Sequence, residues 1–159
     1  MPVTVRKANA RDGPSFLSLV RELALYEKLE PPDEKKGRQL LKDAFQRKRF
    51  SLLMAFVDGK AAGYAIYFNT YSSFLARPTL YIEDIFVKEE YRQQGVGGRM
   101  MFRLIKEALR TGCGRMEWIV LDWNTNAIRF YEKLGAKMLP QWKLFRMDRK
   151  QMERLADKN

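Results

Sequence analysis

Histidine is absent from the 159 residues of this chain, and cysteine occurs once, at Cys113. Without histidine there is no Ser-His-Asp or Cys-His nucleophile system, and the usual zinc ligand sets go with it. A lone cysteine excludes an intrachain disulfide and every multi-cysteine metal site, and it suggests a reducing, cytoplasmic setting. Cys113 has no base to activate it and reads as a small helix-end residue. Long apolar runs are also missing: no segment approaches the roughly 18 residues of a membrane span, and Met1-Pro2-Val3-Thr4-Val5-Arg6 holds no apolar signal core. A soluble, cytoplasmic protein with no metal and no membrane partner is expected. Internal repeats, low-complexity tracts and linkers are lacking too, so a single domain over residues 1–159 is expected.

What the chain does have is core material and positive charge. Hydrophobic residues make up 46%, enough to bury a sizeable core without disulfides or metal. Thirty Lys and Arg against nineteen Asp and Glu give a net charge of +11, which favours anionic partners such as nucleic acid, acidic lipid or a phosphate-rich cofactor. Basic residues concentrate in Lys35 to Arg49 and in Lys88 to Arg115. The first run reads as a solvated helix face continued into a loop. Only the second surrounds a phosphate-binding pattern.

Periodicity predicts a strand over Val3 to Lys7, then a helix after Asp12 with Phe16, Val20, Leu23 and Ala24 on one side, ending near Lys28. Pro31-Pro32 breaks the chain before a second helix carrying Leu40, Leu41, Ala44 and Phe45. Phe50 to Val57 and Ala61 to Phe68 read as strands joined by an Asp58-Gly59 hairpin turn. Asn69 to Pro78 reads as a loop and Thr79 to Val87 as a strand. Val96, Met100, Met101, Leu104, Ile105 and Ala108 mark an amphipathic helix capped by Gly112. A strand over Arg115 to Leu121, a helix over Thr125 to Leu134 closed by Gly135, strands around Pro140 and a terminal helix opened by Asp148 follow. The order predicts a mixed α/β fold with a mostly antiparallel central sheet flanked by helices.

Arg92-Gln93-Gln94-Gly95-Val96-Gly97 sits between a strand and that amphipathic helix. Two glycines at a helix start let backbone N–H groups approach an anion, and the helix dipole adds roughly half a positive charge. A diphosphate fits such a nest; glycines serving only the turn are the alternative. A Rossmann site would place three spaced glycines after the first strand, and a Walker loop would need Gly-Lys-Ser/Thr. Neither pattern is present.

The turn, preceded by Leu80-Tyr81-Ile82-Glu83-Asp84-Ile85-Phe86-Val87, resembles the first cofactor motif of the GNAT N-acetyltransferase family. Asn124 followed by Ala127-Ile128-Arg129-Phe130-Tyr131-Glu132-Lys133-Leu134-Gly135 resembles its second. Within the family the chain is similar to diamine (spermidine/spermine or thialysine) acetyltransferases, through Glu22 to Glu27, Tyr81 to Arg92 and Trp142 to Phe145. It departs from them at Gln93, where glycine is common, in a shorter hairpin at Asp58-Gly59, and at Pro140-Gln141, where the animal enzymes are acidic. These departures bear on the amine more than on the chemistry.

The resemblance implies acetyl transfer from acetyl-CoA to a primary amine of a small cationic substrate, with a protein N-terminus or lysine as the alternative acceptor. Ile85, Phe86 and Val87, Arg92, the amides of Gln93, Gln94, Gly95, Val96, Gly97 and Gly98, and Asn124, Asn126, Ala127, Tyr131 and Lys133 would contact the cofactor. For Lys133 the alternative is a plain helix-surface lysine. A backbone N–H in Ile85 to Val87, beside a β-bulge, would polarise the thioester carbonyl. An alkyl amine with pKa near 10 is neutral in only about one molecule in a thousand at pH 7, a deficit of about 4 kcal/mol. Glu83, with Asp84 beside it, is the candidate base or water-positioning group; a solvent-facing or lysine-paired carboxylate is the alternative for either. Tyr131 matches the general acid for the leaving thiolate, against the alternative of a packed helix aromatic. Tyr26 and Glu27, together with Glu83 and Asp84, would bind the cationic substrate. A homodimer is expected from the family. Nucleic acid is not an expected partner, although a basic binding module using Lys35 to Arg49 is the non-enzymatic alternative.

Overall fold

The computed structural model describes residues 2–158. They form two compact units, the first ending at Ile119 and the second beginning at Val120. The first unit contains β1 (Val3–Lys7), α1 (Gly13–Tyr26), α2 (Glu34–Phe45), β2 (Ser51–Val57), β3 (Lys60–Ser72), β4 (Arg77–Val87), α3 (Val96–Arg110) and β5 (Arg115–Trp118). The strands make one sheet in the order β1-β2-β3-β4-β5. The first four pair antiparallel, and β5 lies parallel to β4 because α3 carries the chain back across the sheet.

Strict alternation splits the strand residues between two cores. Leu52, Met54, Tyr64, Ile66 and Phe86 pack on Phe16 and Leu19 of α1, with Leu40, Leu41, Ala44 and Phe45 of α2 closing the cluster. Leu53, Ala55 and Ala65 take the opposite face, which α3 covers with buried Met100, Met101, Leu104 and Ala108. The stripe that marks α3 in the sequence is therefore its sheet-facing side, except for Ile105, which the structure leaves exposed.

Asp58 (φ 49°) and Gly59 (φ 78°) both occupy the left-handed region, as the hairpin turn required. The expected loop over Asn69 to Pro78 is instead mostly strand: Thr70 pairs with Thr79 and Tyr71 with Pro78, leaving only residues 73–76 outside the ladder. β-branched and aromatic residues extend the hairpin, and Pro78 keeps a carbonyl that accepts from the Gly114 N–H at 2.9 Å.

Asp12 precedes α1 but does not cap it. Its carboxylate accepts from Arg6 Nη1 at 2.7 Å, from Arg6 Nη2 at 3.0 Å and from the Asn9 N–H at 2.8 Å, tying β1 to the entry of α1. Arg6 and this backbone donor hold the Asp12 carboxyl below its usual value. A depressed carboxyl stabilises the fold above its unfolded pKa, and that contribution is lost as the pH falls through the folded value. Asp12→Asn should therefore cost about 1–2 kcal/mol at pH 7, discounted for the part-exposed Arg6. Urea unfolding should show this deficit closing in acid; a deficit independent of pH would rule the ion pair out as its source.

The second unit contains α4 (Thr125–Lys133) and α5 (Arg149–Ala156). The strands expected around Pro140 are not formed among the described residues, and β5 stops at Trp118 rather than at Leu121. An extended segment becomes a strand only with a ladder partner, and Pro140 withdraws one donor. Trp142 and Phe145 in this segment are 74% and 92% exposed.

Candidate active site

The parallel pairing of β4 with β5 ends at Ile82 and Trp118, so β4 continues from Glu83 to Val87 without a β5 partner. Lys88 N–H donates to the Ala62 carbonyl, which fixes the backbone polarity of this stretch. By alternation, the backbone groups of Phe86 face β3, while those of Ile85 and Val87 face the edge that β5 has left. The Val87 carbonyl there accepts from Arg92 Nε at 2.9 Å. A strand edge that its neighbour has left can take an amide-bearing arm as a missing strand would be taken, here beside the carbonyl that Arg92 already holds.

Register shows why Glu83 and Asp84 part company. Ile66 pairs with Asp84 and Tyr67 with Ile82, leaving Glu83 as the extra residue of a β-bulge. Glu83 is exposed. Asp84 turns inward, where its Oδ2 accepts from the fully buried Tyr64 hydroxyl at 2.8 Å. Burial raises the Asp84 carboxyl above its usual value, and the Glu83 charge adds to this; the Tyr64 hydrogen bond pulls the other way. Burial, then the Asp84 charge, pushes the Tyr64 phenol up, so it stays a donor. Glu27, at the C-terminal end of α1, is raised by burial and by the charge of Asp84. Two half-buried carboxylates thus act on one another, one anchored by a buried phenol. The Arg92 guanidinium lies 4.8 Å from the Tyr26 ring centre and 5.6 Å from that of Phe86.

Arg92 leads into the glycine turn. Gln93 (φ 61°) and Gly95 (φ 81°) are left-handed, and Gln94 Nε2 donates to the Glu90 carbonyl. Within α3 the Arg99 N–H donates to the Gly95 carbonyl, so the N–H groups of Val96, Gly97 and Gly98 form the first turn, which has no intrahelical acceptor. No acidic residue stands in that turn. A Cβ built on Gly95 or Gly98 would meet nothing within 4 Å, leaving room for an anion to approach the backbone.

In the second unit Asn124 caps α4, its Oδ1 accepting from the Ala127 N–H at 3.3 Å. Asn126 and Lys133 are exposed at the two ends of this helix. Tyr131 is half-buried, its ring 5.5 Å from that of Phe130 in an edge-on arrangement.

The sequence model of the acetyltransferase (GNAT) family matches residues 17–136. This chain belongs to that family. Thialysine N-epsilon-acetyltransferase of Bos taurus is 36% identical, with 98% of each chain aligned. L-ornithine N5-acetyltransferase NATA1 of Arabidopsis thaliana is 48% identical over 90 residues, which are 57% of this chain and 40% of that protein. Among solved structures, AAC(6')-Iy in complex with the bisubstrate analog CoA-S-monomethyl-acetylneamine aligns with a TM-score of 0.78 at 19% identity, over 93% of this chain and 99% of that one. A probable acetyltransferase aligns with a TM-score of 0.79 at 20% identity, over 93% and 97%. These two share the fold.

In this acetyltransferase the sequence pattern located the turn, the β4 carboxylates and Tyr26-Glu27, and the first unit brings all of them to the end of β4 and the adjoining helix termini. Tyr64 was missed. The available signal was a phenol between Gly63 and Ala65 in a small-residue strand, where a buried hydroxyl must find a partner. The departure at Gln93 also acquires a physical meaning, since a left-handed non-glycine costs about 1–2 kcal/mol. Gln93→Gly should relieve part of that and raise stability by about 0.5–1 kcal/mol after the added unfolded-state entropy. Thermal unfolding should then rise by about 2 °C. An unchanged or lower midpoint would show that Gln93 carries no strain.

Proposed function

We propose that this acetyltransferase transfers the acetyl group of acetyl-CoA to a primary amine of a small cationic substrate, a diamine, a polyamine or a lysine-like amino acid. The observation that carries the reading is the Glu27 and Asp84 carboxylate pair, in which Asp84 accepts from Tyr64 and stands on β4 just before the stretch that β5 leaves. An ammonium group supplies the positive charge these carboxylates call for, with Tyr26 offering an aromatic face. The relatives named for thialysine and ornithine support an amine of this kind.

The cofactor's diphosphate suits the Val96 to Gly98 amides and Arg92, and its amide arm suits the Ile85 and Val87 backbone. Asn124, Asn126, Ala127 and Lys133 complete the cofactor contacts in this reading. Glu83, exposed on the bulge, takes the proton from the amine directly or through water, making the nitrogen lone pair available for attack on the thioester carbonyl. A backbone N–H of the open edge stabilises the oxyanion that develops. Tyr131 then protonates the departing thiolate, so the products are the amide and free coenzyme A. The same reading holds both units to be one domain of a cytoplasmic homodimer, supported for the domain by a family match that runs across residues 119 and 120.

The test is release of free coenzyme A with thialysine, spermidine, putrescine and an N-terminal peptide side by side. Turnover on the small amines should exceed that on the peptide, and Tyr131→Phe should lower kcat about 100-fold. Preference for the peptide would transfer the reading to a protein acceptor. Near-normal turnover in Tyr131→Phe would remove the general acid.

A further inference from the structure

A groove of about 750 Å³ runs between β1 and α3, starting at Gly95 and Gly98 and following the helix away from the β4 carboxylates. One wall is Val3, Val5 and Lys7 of β1; the other is Arg99, Phe102, Arg103, Lys106 and Arg110 of α3. Its cations recur along one side of the helix at intervals of about one turn, 5.4 Å. The single carboxylate in the groove, Glu107, is taken by Arg110 through bonds of 3.0 and 2.7 Å. Arg103 and Lys106 are exposed, and Lys106 Nζ lies 4.8 Å from the centre of the Phe102 ring, itself 60% exposed.

A solvated helix face ordinarily alternates charge signs, because like charges one turn apart are destabilising. Here Arg99, Arg103, Lys106 and Arg110 follow one another with one acid among them, along one wall of a concavity rather than on a convex surface. Such a stripe becomes favourable when a polyanion neutralises it. The repeat is close to the spacing of successive phosphates in a flexible strand, and an exposed aromatic ring beside it offers a stacking surface for a base. A convex duplex needs no such groove, and an acidic peptide has no use for the ring.

We propose that the groove between β1 and α3 binds a single-stranded nucleic-acid segment, its phosphates on Arg99, Arg103 and Lys106 and a base on Phe102. This goes beyond amine acetylation, and no step of that reaction uses Arg103 or Lys106.

The experiment measures fluorescence anisotropy of a labelled ten-nucleotide RNA from 50 to 200 mM salt, a range set by the steep ionic dependence of phosphate contacts. It compares the wild type with Arg103→Glu/Lys106→Glu and with Lys35→Glu/Lys42→Glu, which changes net charge equally on α2. The α3 variant should bind at least 10-fold more weakly, with a logarithmic salt slope smaller by about 1.4, as expected for two lost phosphate contacts on a single strand. The α2 variant should stay within about 3-fold of wild type, and acetyl transfer should persist in both. Absence of RNA binding, equal losses in the two variants, or displacement of the RNA by poly-glutamate as readily as by unlabelled RNA would overturn the proposal. Loss of amine acetylation in the wild type would instead bear only on the catalytic reading.

Discussion

Asp84→Asn is expected to lower kcat/KM for a cationic amine about 100-fold while leaving the folded protein more stable at neutral pH. The first half follows from the proposed binding of the ammonium group by Glu27 and Asp84, of which the variant keeps one carboxylate. Losing one partner of a partly buried charge pair costs about 2–5 kcal/mol, and 100-fold corresponds to about 2.7 kcal/mol. The second half follows from the direction of the Asp84 shift. Its carboxyl is raised in the fold, chiefly by burial. A raised group stabilises fully below its unfolded pKa and loses that contribution as the pH rises through the folded value. At pH 7 the wild type therefore carries a desolvated carboxylate that the variant lacks, whereas the side-chain amide introduced in its place would still accept from Tyr64. Denaturation should put the variant above the wild type at pH 7.5, with the gap shrinking towards pH 4. Tyr64→Phe gives the complementary result: with the lowering hydrogen bond gone, the acid limb of the wild-type kcat/KM profile should move to higher pH. A variant of Asp84 that is both fully active and no more stable would sink the assignment of this carboxylate to substrate.

Gly63→Ala should be the most damaging single methyl in the sheet. A Cβ at this position would overlap the Phe86 carbonyl oxygen and stand 3.3 Å from Val87 Cα and 3.4 Å from Met100 Sδ. Two of these are backbone atoms of β4, which cannot rotate away as a flexible side chain would. Relief requires β4 to move from β3, or both strands to shift against α3, at about 3 kcal/mol. For a chain of this size that is a fall of roughly 6–12 °C in the unfolding midpoint. The displaced residues, Phe86 and Val87, border the open edge, so coenzyme A affinity measured calorimetrically on the folded variant should fall about 10-fold as well. An unchanged midpoint would mean that the close approach of β3 and β4 is not maintained in solution. A lowered midpoint with unchanged affinity would separate that approach from the open edge.

Asp84 and Gly63 differ in how far the sequence alone shows their roles. Glu83-Asp84 is visible in the sequence as a pair of adjacent carboxylates within a strand that leads to the glycine turn. Which one turns inward depends on the bulge, and a bulge is a mismatch between two strands rather than a property of either. Gly63 offered only a glycine in a strand, and Tyr64 only an aromatic. The clash that makes one indispensable and the hydrogen bond that gives the other its role both come from β4, about twenty residues away.

By itself the sequence determined what depends on local stereochemistry and on motif spacing. Those features are the Asp58-Gly59 turn, the sheet-facing stripe of α3, the glycine turn at its N-terminus and the membership of an acetyltransferase family. Tertiary structure decided what depends on a partner. It lengthened the β3 and β4 hairpin through Asn69 to Ser72, because Thr70 and Tyr71 found Thr79 and Pro78. It ended the β5 pairing at Trp118 and so opened the β4 edge. It left the segment around Pro140 without a strand, and it joined Glu27, Tyr64 and Asp84 from three elements into one acidic site. A ladder hydrogen bond or a shared proton belongs to two residues at once, and the chain order of either one does not contain it.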